Sequence, residues 1–137
     1  GDHLEIDQMG ARVVEKFEMY KTFIDEESSG EIEYDVVRER KKLAYGGAIS
    51  LVVMMSKATG AIAGEPQISF QGVAGIDPAN GFAGDAREAI SEAILQLKKE
   101  QVADRNFLKE ILRIALKRFV QKKIGTKPVI VTTIVEI

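Results

Sequence analysis

The sequence lacks cysteine and tryptophan, and His3 is the single histidine among its 137 residues. Without cysteine it can have neither a disulfide scaffold nor a zinc site built from thiolates. One histidine cannot supply the three or four converging ligands of a catalytic metal centre. We therefore assign no catalytic residue, no metal ligand and no cofactor to this sequence. The lack of cysteine is compatible with a reducing, cytoplasmic setting.

Long apolar segments are also missing. The longest such run, Ile49–Met55, is far shorter than the roughly 20 residues that cross a bilayer, so we expect no membrane span, and no signal peptide is recognisable. The sequence starts at Gly1 rather than at methionine, so we expect a piece of a larger protein. A composition of 45% hydrophobic and 29% charged residues is typical of an ordinary globular domain.

The first part of the sequence predicts short strands followed by a helix. Polar and apolar residues alternate in Arg12–Phe17 and Tyr20–Ile24, which predicts a short β-rich segment over residues 1–34. Asp35 is placed to cap a helix that the pair Gly46–Gly47 ends.

The rest of the sequence predicts three strands and two helices. Ile49–Met55 is apolar on both alternations, which predicts a central strand covered on both faces, and Gln67–Ala74 predicts a second strand. Apolar residues recur at helical spacing over 82–97 and 104–124, and Val129–Val135 predicts the last strand. This β-β-α-α-β order indicates an α+β two-layer fold, in which a small three-stranded sheet carries both helices on one face.

Polar residues mark the ends of the two predicted helices. Asp85 and Glu88 are predicted to form a capping pair for the first helix, and Asp104 is predicted to cap the second. Gly125 is expected to end the second helix.

Charge is distributed unevenly along a sequence whose net charge is −2. Residues 2–35 are mainly acidic, whereas residues 98–127 are mainly basic. The basic helix is either the solvated outer face of an amphipathic helix or a patch that contacts RNA phosphates. Phe107 and Phe119 fall on its apolar side, so base stacking is disfavoured and RNA contact is expected to be weak. The candidate RNA contacts are Arg105, Lys109, Arg113, Lys117, Arg118, Lys122, Lys123 and Lys127.

Five blocks of the sequence follow the order and spacing of one known family. They are Gly1–Ile6, Arg38–Ala44, Thr59–Gly60, Gly64–Gly72 and Lys127–Ile130. Together they resemble the C-terminal domain of ribonuclease J, a bacterial RNase of the metallo-β-lactamase/β-CASP class. Gly46–Gly47 stands where that family usually has Asp-Gly, and Gln71 where it usually has arginine, so the sequence is similar to a divergent member.

The resemblance implies a parent hydrolase that processes and degrades RNA, as an exonuclease or an endonuclease, with zinc in a catalytic domain outside this sequence. Residues 1–34 would link to that catalytic core. Residues 35–137 would form the C-terminal domain, which would not be catalytic by itself.

The resemblance favours an assembly role for this domain, in which it forms a dimer or contacts the parent's own catalytic domains. RNA contact through the basic helix, residues 105–123, is the alternative. Helices on one face of the sheet leave the second face open, and an apolar face of that kind favours pairing. The candidate interface residues are Ile49, Leu51, Val53, Met55, Val129, Val131 and Ile134.

Overall fold

The computed structural model describes residues 1–25, 30–77 and 81–137, which form two compact units, Gly1–Arg38 and Glu39–Ile137. The first unit contains an antiparallel hairpin of strand β1 (Asp2–Asp7) and strand β2 (Gly10–Lys16). Every residue of both strands is exposed. The hairpin therefore has no buried face of its own.

Only part of the strand prediction for this unit is correct. The strand predicted over Arg12–Phe17 is confirmed as most of β2. Tyr20–Ile24 is not a strand, and Ile24 forms only an isolated bridge with Glu31. Strand β1 was not predicted from its residue pattern.

The second unit is built on a three-stranded sheet. Helix α1 (Tyr34–Gly46) leads into the central strand β3 (Ala48–Met55), with β4 (Gln67–Gln71) on one side and β5 (Val129–Glu136) on the other. Strand β4 runs antiparallel to β3, and β5 runs parallel to it.

Because β3 and β5 are parallel, the chain must cross over the sheet between them. The crossover contains helices α2 (Phe82–Leu95), α3 (Lys99–Ala103) and α4 (Arg105–Ile124). The predicted fold class is confirmed, with the short helix α3 as an addition.

Local interactions explain where the two long helices begin. Asp104 caps α4, because its carboxylate accepts hydrogen bonds from the backbone N–H groups of Asn106 and Phe107 at 3.1 and 3.0 Å. The predicted capping role of Asp85 is wrong. Helix α2 has Gly81 at its N-cap with no side-chain cap, and Asp85 lies one turn inside the helix, where its carboxylate instead binds Lys123 Nζ at 2.9 Å.

The core lies between one face of the sheet and helices α2 and α4. Alternate residues of β3 point to the same face, and those on the covered face are completely buried, as are residues at four-residue intervals along α4. This stripe of α4 is the apolar side of an amphipathic helix. The buried residues are Ile49, Leu51, Val53, Met55, Phe82, Ala86, Ile90, Leu108, Leu112, Leu116 and Val120.

Two glycines join α1 to the sheet by close backbone packing. A Cβ on Gly46 would lie 2.8 Å from the carbonyl oxygen of Lys127. Gly47 has φ +70°, and a Cβ there would lie 2.5 Å from the carbonyl of Gly72. Gly47 also accepts a hydrogen bond from the backbone N–H of Val129 at 3.0 Å. The C-terminus of α1 is therefore fixed against the end of β4 and the start of β5.

Candidate functional site

The described part of the chain contains no set of side chains that could hold the zinc ions implied by the resemblance. No group of three or more histidine, cysteine, aspartate or glutamate side chains comes together among residues 1–25, 30–77 and 81–137. His3 instead stacks on Phe17, with ring centroids 6.0 Å apart. The described residues do not fit a zinc site, and we derive no catalytic step from them.

The sheet face opposite the helices, here called the open face, is half-buried to exposed. The register of the strands places Val52 and Met54 of β3 on this face, next to Val131 and Val135 of β5. Val131 and Val135 are 51% and 40% exposed. The hydroxyl side chains of Ser50 and Thr133 lie on the same face, which is therefore only moderately apolar.

The candidate interface residues fall on both faces of the sheet. Val129 and Val131 lie on the open face, as a partner contact would require. Four of the others are completely buried beneath the helices, and Ile134, whose register partner is Val53, points to the same covered face. Because helices occupy that face, these five residues are not available to a partner, and the interface prediction is corrected to the alternate positions of each strand. The four buried residues are Ile49, Leu51, Val53 and Met55.

Strand β5 also has an outer edge that pairs with no other described strand. The N–H of Val129 donates to Gly47 and the N–H of Ile137 donates to Met55, so the odd-numbered residues of β5 direct their backbone groups toward β3 and its flanks. The N–H and C=O groups of the even-numbered residues, from Ile130 to Glu136, therefore point outward. An edge of this length is a template for pairing with another strand.

The candidate RNA contacts do not form one continuous stripe. Arg105 binds Glu136 at 3.0 Å and Lys123 binds Asp85 at 2.9 Å, so these two cations fasten α4 to β5 and to α2. Arg113 donates two hydrogen bonds to Glu110, at 2.8 and 2.6 Å. These bonds lower the pKa of Glu110 and raise the pKa of Arg113.

The other five candidate contacts make no ion pair with any residue that the structure describes. They are Lys109, Lys117, Arg118, Lys122 and Lys127.

Three of the candidate contacts meet in a cleft, here called the basic cleft, whose volume is about 600 Å³. It lies between the last turns of α1, the middle of α4 and the start of β5. Its lining residues are Glu39, Lys42, Leu43, Arg113, Lys117, Lys127, Pro128, Val129 and Ile130. Lys109, Arg118 and Lys122 lie outside it. Lys42 was not among the predicted RNA contacts. The basic run Arg38–Lys42, near the end of α1, was a sequence signal that could have indicated it.

The helices of the described residues include none that is both long enough and apolar enough to span a bilayer.

Comparison with known proteins identifies a relationship over most of the chain. Residues 35–137 match the family described as Ribonuclease J C-terminal domain. The chain is similar to Ribonuclease J of Corynebacterium glutamicum, with 27% identity over 125 residues that cover 91% of this chain and 17% of that protein. It is also similar to Ribonuclease J2 of Bacillus subtilis, with 24% identity over 137 residues that cover 100% of this chain and 25% of that protein. The chain thus spans a quarter or less of the length of these two relatives.

Proposed function

The chain belongs to the ribonuclease J C-terminal domain family, and we propose that it is the assembly domain of a ribonuclease J-like enzyme that processes and degrades RNA. In this role it joins two copies of the parent protein into a dimer and is not catalytic by itself. The zinc ions of the parent, a metallo-β-lactamase-class hydrolase, would be held by residues outside this chain. Such an enzyme would act on RNA in the cytoplasm.

The unpaired outer edge of β5 is the observation that carries this proposal. Two copies related by a two-fold axis can place their β5 strands side by side and antiparallel, which continues the sheet from one copy into the other. The outward backbone groups from Ile130 to Glu136 would then be paired. Val131 and Val135 of both copies would lie close together on the open face, and their contact would add apolar burial to the backbone pairing.

The first unit supports a further part of the proposal, namely that residues 1–34 link this domain to the catalytic core. A two-stranded hairpin is marginally stable by itself in water. Here every residue of the hairpin is exposed, including the apolar side chains of Leu4, Ile6, Val13 and Val14. Packing against another part of the parent would cover these side chains and stabilise the hairpin.

Sedimentation of the chain and of two double variants tests the assembly proposal. Val131→Lys with Thr133→Lys introduces charges on the open face of β5, where like charges of two copies would oppose each other across the new strand pair. The matched control, Gln67→Lys with Ser69→Lys, introduces the same charge on the same face of the other edge strand, β4. We expect dimers at micromolar concentration for the unmodified chain and the control, and monomers for the β5 variant.

Each of the other outcomes has a definite meaning. If the unmodified chain is a monomer at high concentration, this domain does not drive dimerisation. If both double variants are monomers, the two copies meet through the open face as a whole and not through the edge of β5.

RNA contact is the second candidate function. The observation that favours it is the meeting of Arg113, Lys117 and Lys127 with Lys42 in the basic cleft.

A further inference from the structure

The basic cleft collects more positive than negative charge. Lys42, Lys117 and Lys127 line it and make no ion pair with any residue in the described ranges. Arg113 is bound to Glu110 through Nε and Nη2, which leaves the two N–H groups of Nη1 available to a ligand. Among the described residues that line the cleft, Glu39 supplies the one carboxylate. An anion is therefore the ligand that this cleft attracts.

The floor of the cleft determines how such a ligand could be recognised. It is formed by the apolar residues Leu43, Pro128, Val129 and Ile130. Among the described residues, no aromatic, amide or hydroxyl side chain lines the cleft, so it has no aromatic platform for base stacking. Lysine and arginine contacts to phosphate oxygens position a nucleic acid without selecting its sequence. The cleft thus fits the backbone of a nucleic acid and not its bases.

The walls of the cleft are held in place by the backbone packing at Gly46. Because a Cβ at Gly46 would lie 2.8 Å from the carbonyl oxygen of Lys127, the last turn of α1 packs directly against Lys127, which also lines the cleft. Pro128 beside it is buried. The end of α1 that carries Lys42 is therefore held close to Lys127, and both lysines line one cleft.

We propose that the basic cleft binds consecutive phosphates of a single-stranded RNA backbone, without sequence preference. A single strand fits this chemistry, because a positively charged groove can follow its backbone without sequence preference. The choice of RNA among polyanions rests on the proposed role in an RNA-degrading enzyme. The charged side chains of the cleft belong to α1, to α4 and to Lys127, which precedes β5, although Val129 and Ile130 of its lining lie at the start of the strand proposed for dimerisation. The role of the cleft is to hold RNA on the parent enzyme.

Fluorescence anisotropy with a labelled uridine oligomer of about twelve nucleotides tests the proposal, since one binding fold covers roughly 4–16 nucleotides. The oligomer is titrated with the full chain between about 50 and 200 mM salt. Each phosphate contact on a single strand contributes about −0.7 to the slope of log affinity against log salt. The cleft variant, Lys42→Gln with Lys117→Gln and Lys127→Gln, should bind at least about tenfold more weakly, with a slope smaller in magnitude by about 2.

The matched control removes the same charge from outside the cleft by Lys109→Gln, Arg118→Gln and Lys122→Gln. At about 0.1 M salt the Debye length is about 10 Å, so this variant should lose less than about threefold in affinity. Equal losses in the two variants would mean that RNA is attracted by general charge, and the proposal would be wrong. Absence of salt-dependent binding by the unmodified chain would also overturn it.

Two further measurements separate this proposal from its competitors. An acidic peptide of the same charge as the oligomer should bind much more weakly than the RNA, and equal binding would refute the assignment to RNA. The cleft variant should sediment like the unmodified chain and keep its circular dichroism spectrum, since the three lysines are exposed. The RNA proposal can therefore fail while the assembly proposal stands, and the reverse.

Discussion

Replacement of Gly47 by alanine should destabilise the second unit strongly, because two separate effects oppose a side chain at this position. The backbone of Gly47 has φ +70°, a conformation that L-residues rarely adopt. In addition, the new Cβ would lie 2.5 Å from both the carbonyl carbon and the carbonyl oxygen of Gly72. That neighbour is backbone at the end of β4, so the contact cannot be relieved by rotation of a side chain.

The two effects can be separated with a second variant, Gly60→Ala. Gly60 has φ +67°, nearly the same as Gly47, but a Cβ at this position would have no atom within 4 Å. The left-handed conformation should cost about 1 kcal/mol in both variants. Overpacking against backbone should add about 1–3 kcal/mol in Gly47→Ala alone. We therefore expect total losses of about 1 kcal/mol for Gly60→Ala and about 2–4 kcal/mol for Gly47→Ala.

Urea unfolding followed by circular dichroism at the helix band measures these losses, because helices α2, α3 and α4 all belong to the second unit. With a slope of about 1.5 kcal/mol per molar urea, the unfolding midpoint of Gly47→Ala should fall by about 1–3 M. The two variants should share the same slope as the unmodified chain. If Gly47→Ala and Gly60→Ala lose the same free energy of unfolding, the close approach of Gly47 to Gly72 does not constrain the fold as argued.

Three other predictions concern separate features of the chain. Thr132→Val should raise the free energy of unfolding by about 1 kcal/mol, because the Thr132 hydroxyl is buried without a hydrogen-bond partner among the described residues; a lower urea midpoint would show that the hydroxyl has one. The carboxyl pKa of Glu110, followed by NMR titration, should be lower than usual, chiefly through its hydrogen bonds from Arg113, and should rise in Arg113→Gln. The stability that this pair contributes is complete above the unfolded-state pKa and is lost as the pH falls through the lowered one, so a Glu110→Gln variant should differ from the unmodified chain less in acid than at neutral pH. Finally, the purified chain should not cleave labelled RNA with Mn²⁺, Mg²⁺ or Zn²⁺, and metal-dependent cleavage that survives repurification would contradict the proposal that catalysis lies outside it.

The sequence predicted the elements well where the pattern was local. Apolar residues at helical spacing predicted the buried side of α4, although Phe107, which was placed on that side, is 38% exposed, and Asp104 predicted the start of the helix. Strand β3 was located correctly, but both of its alternations are apolar, so no contrast with period two indicated which residues would be buried. For that reason most of the predicted interface residues lie in the core.

Contacts between distant residues could not be predicted from the sequence. The sequence pattern treated all the cations of the basic helix as one patch. It could not show that Arg105 and Lys123 bind Glu136 and Asp85, because these carboxylates belong to other elements. Gly46 and Gly47 were predicted only to end a helix, since their close approach involves backbone at Gly72 and Lys127. Lys42 was missed as a cleft residue for the same reason.

The parallel pairing of β3 with β5 determines the order in which this domain can form during synthesis. Ile49 cannot pair with its neighbour Ile130 until β5 has been synthesised, and β5 emerges from the ribosome only after the three helices of the crossover. Until then one edge of the most apolar strand is bare, and such edges promote aggregation of nascent chains. The β3–β4 pairing and the helices depend on contacts between residues that are close in sequence. The β3–β5 pairing joins residues that are far apart in sequence, and such contacts form slowly. Completion of the sheet is therefore expected to be the late, rate-limiting event, and the stage at which a chaperone would have most effect.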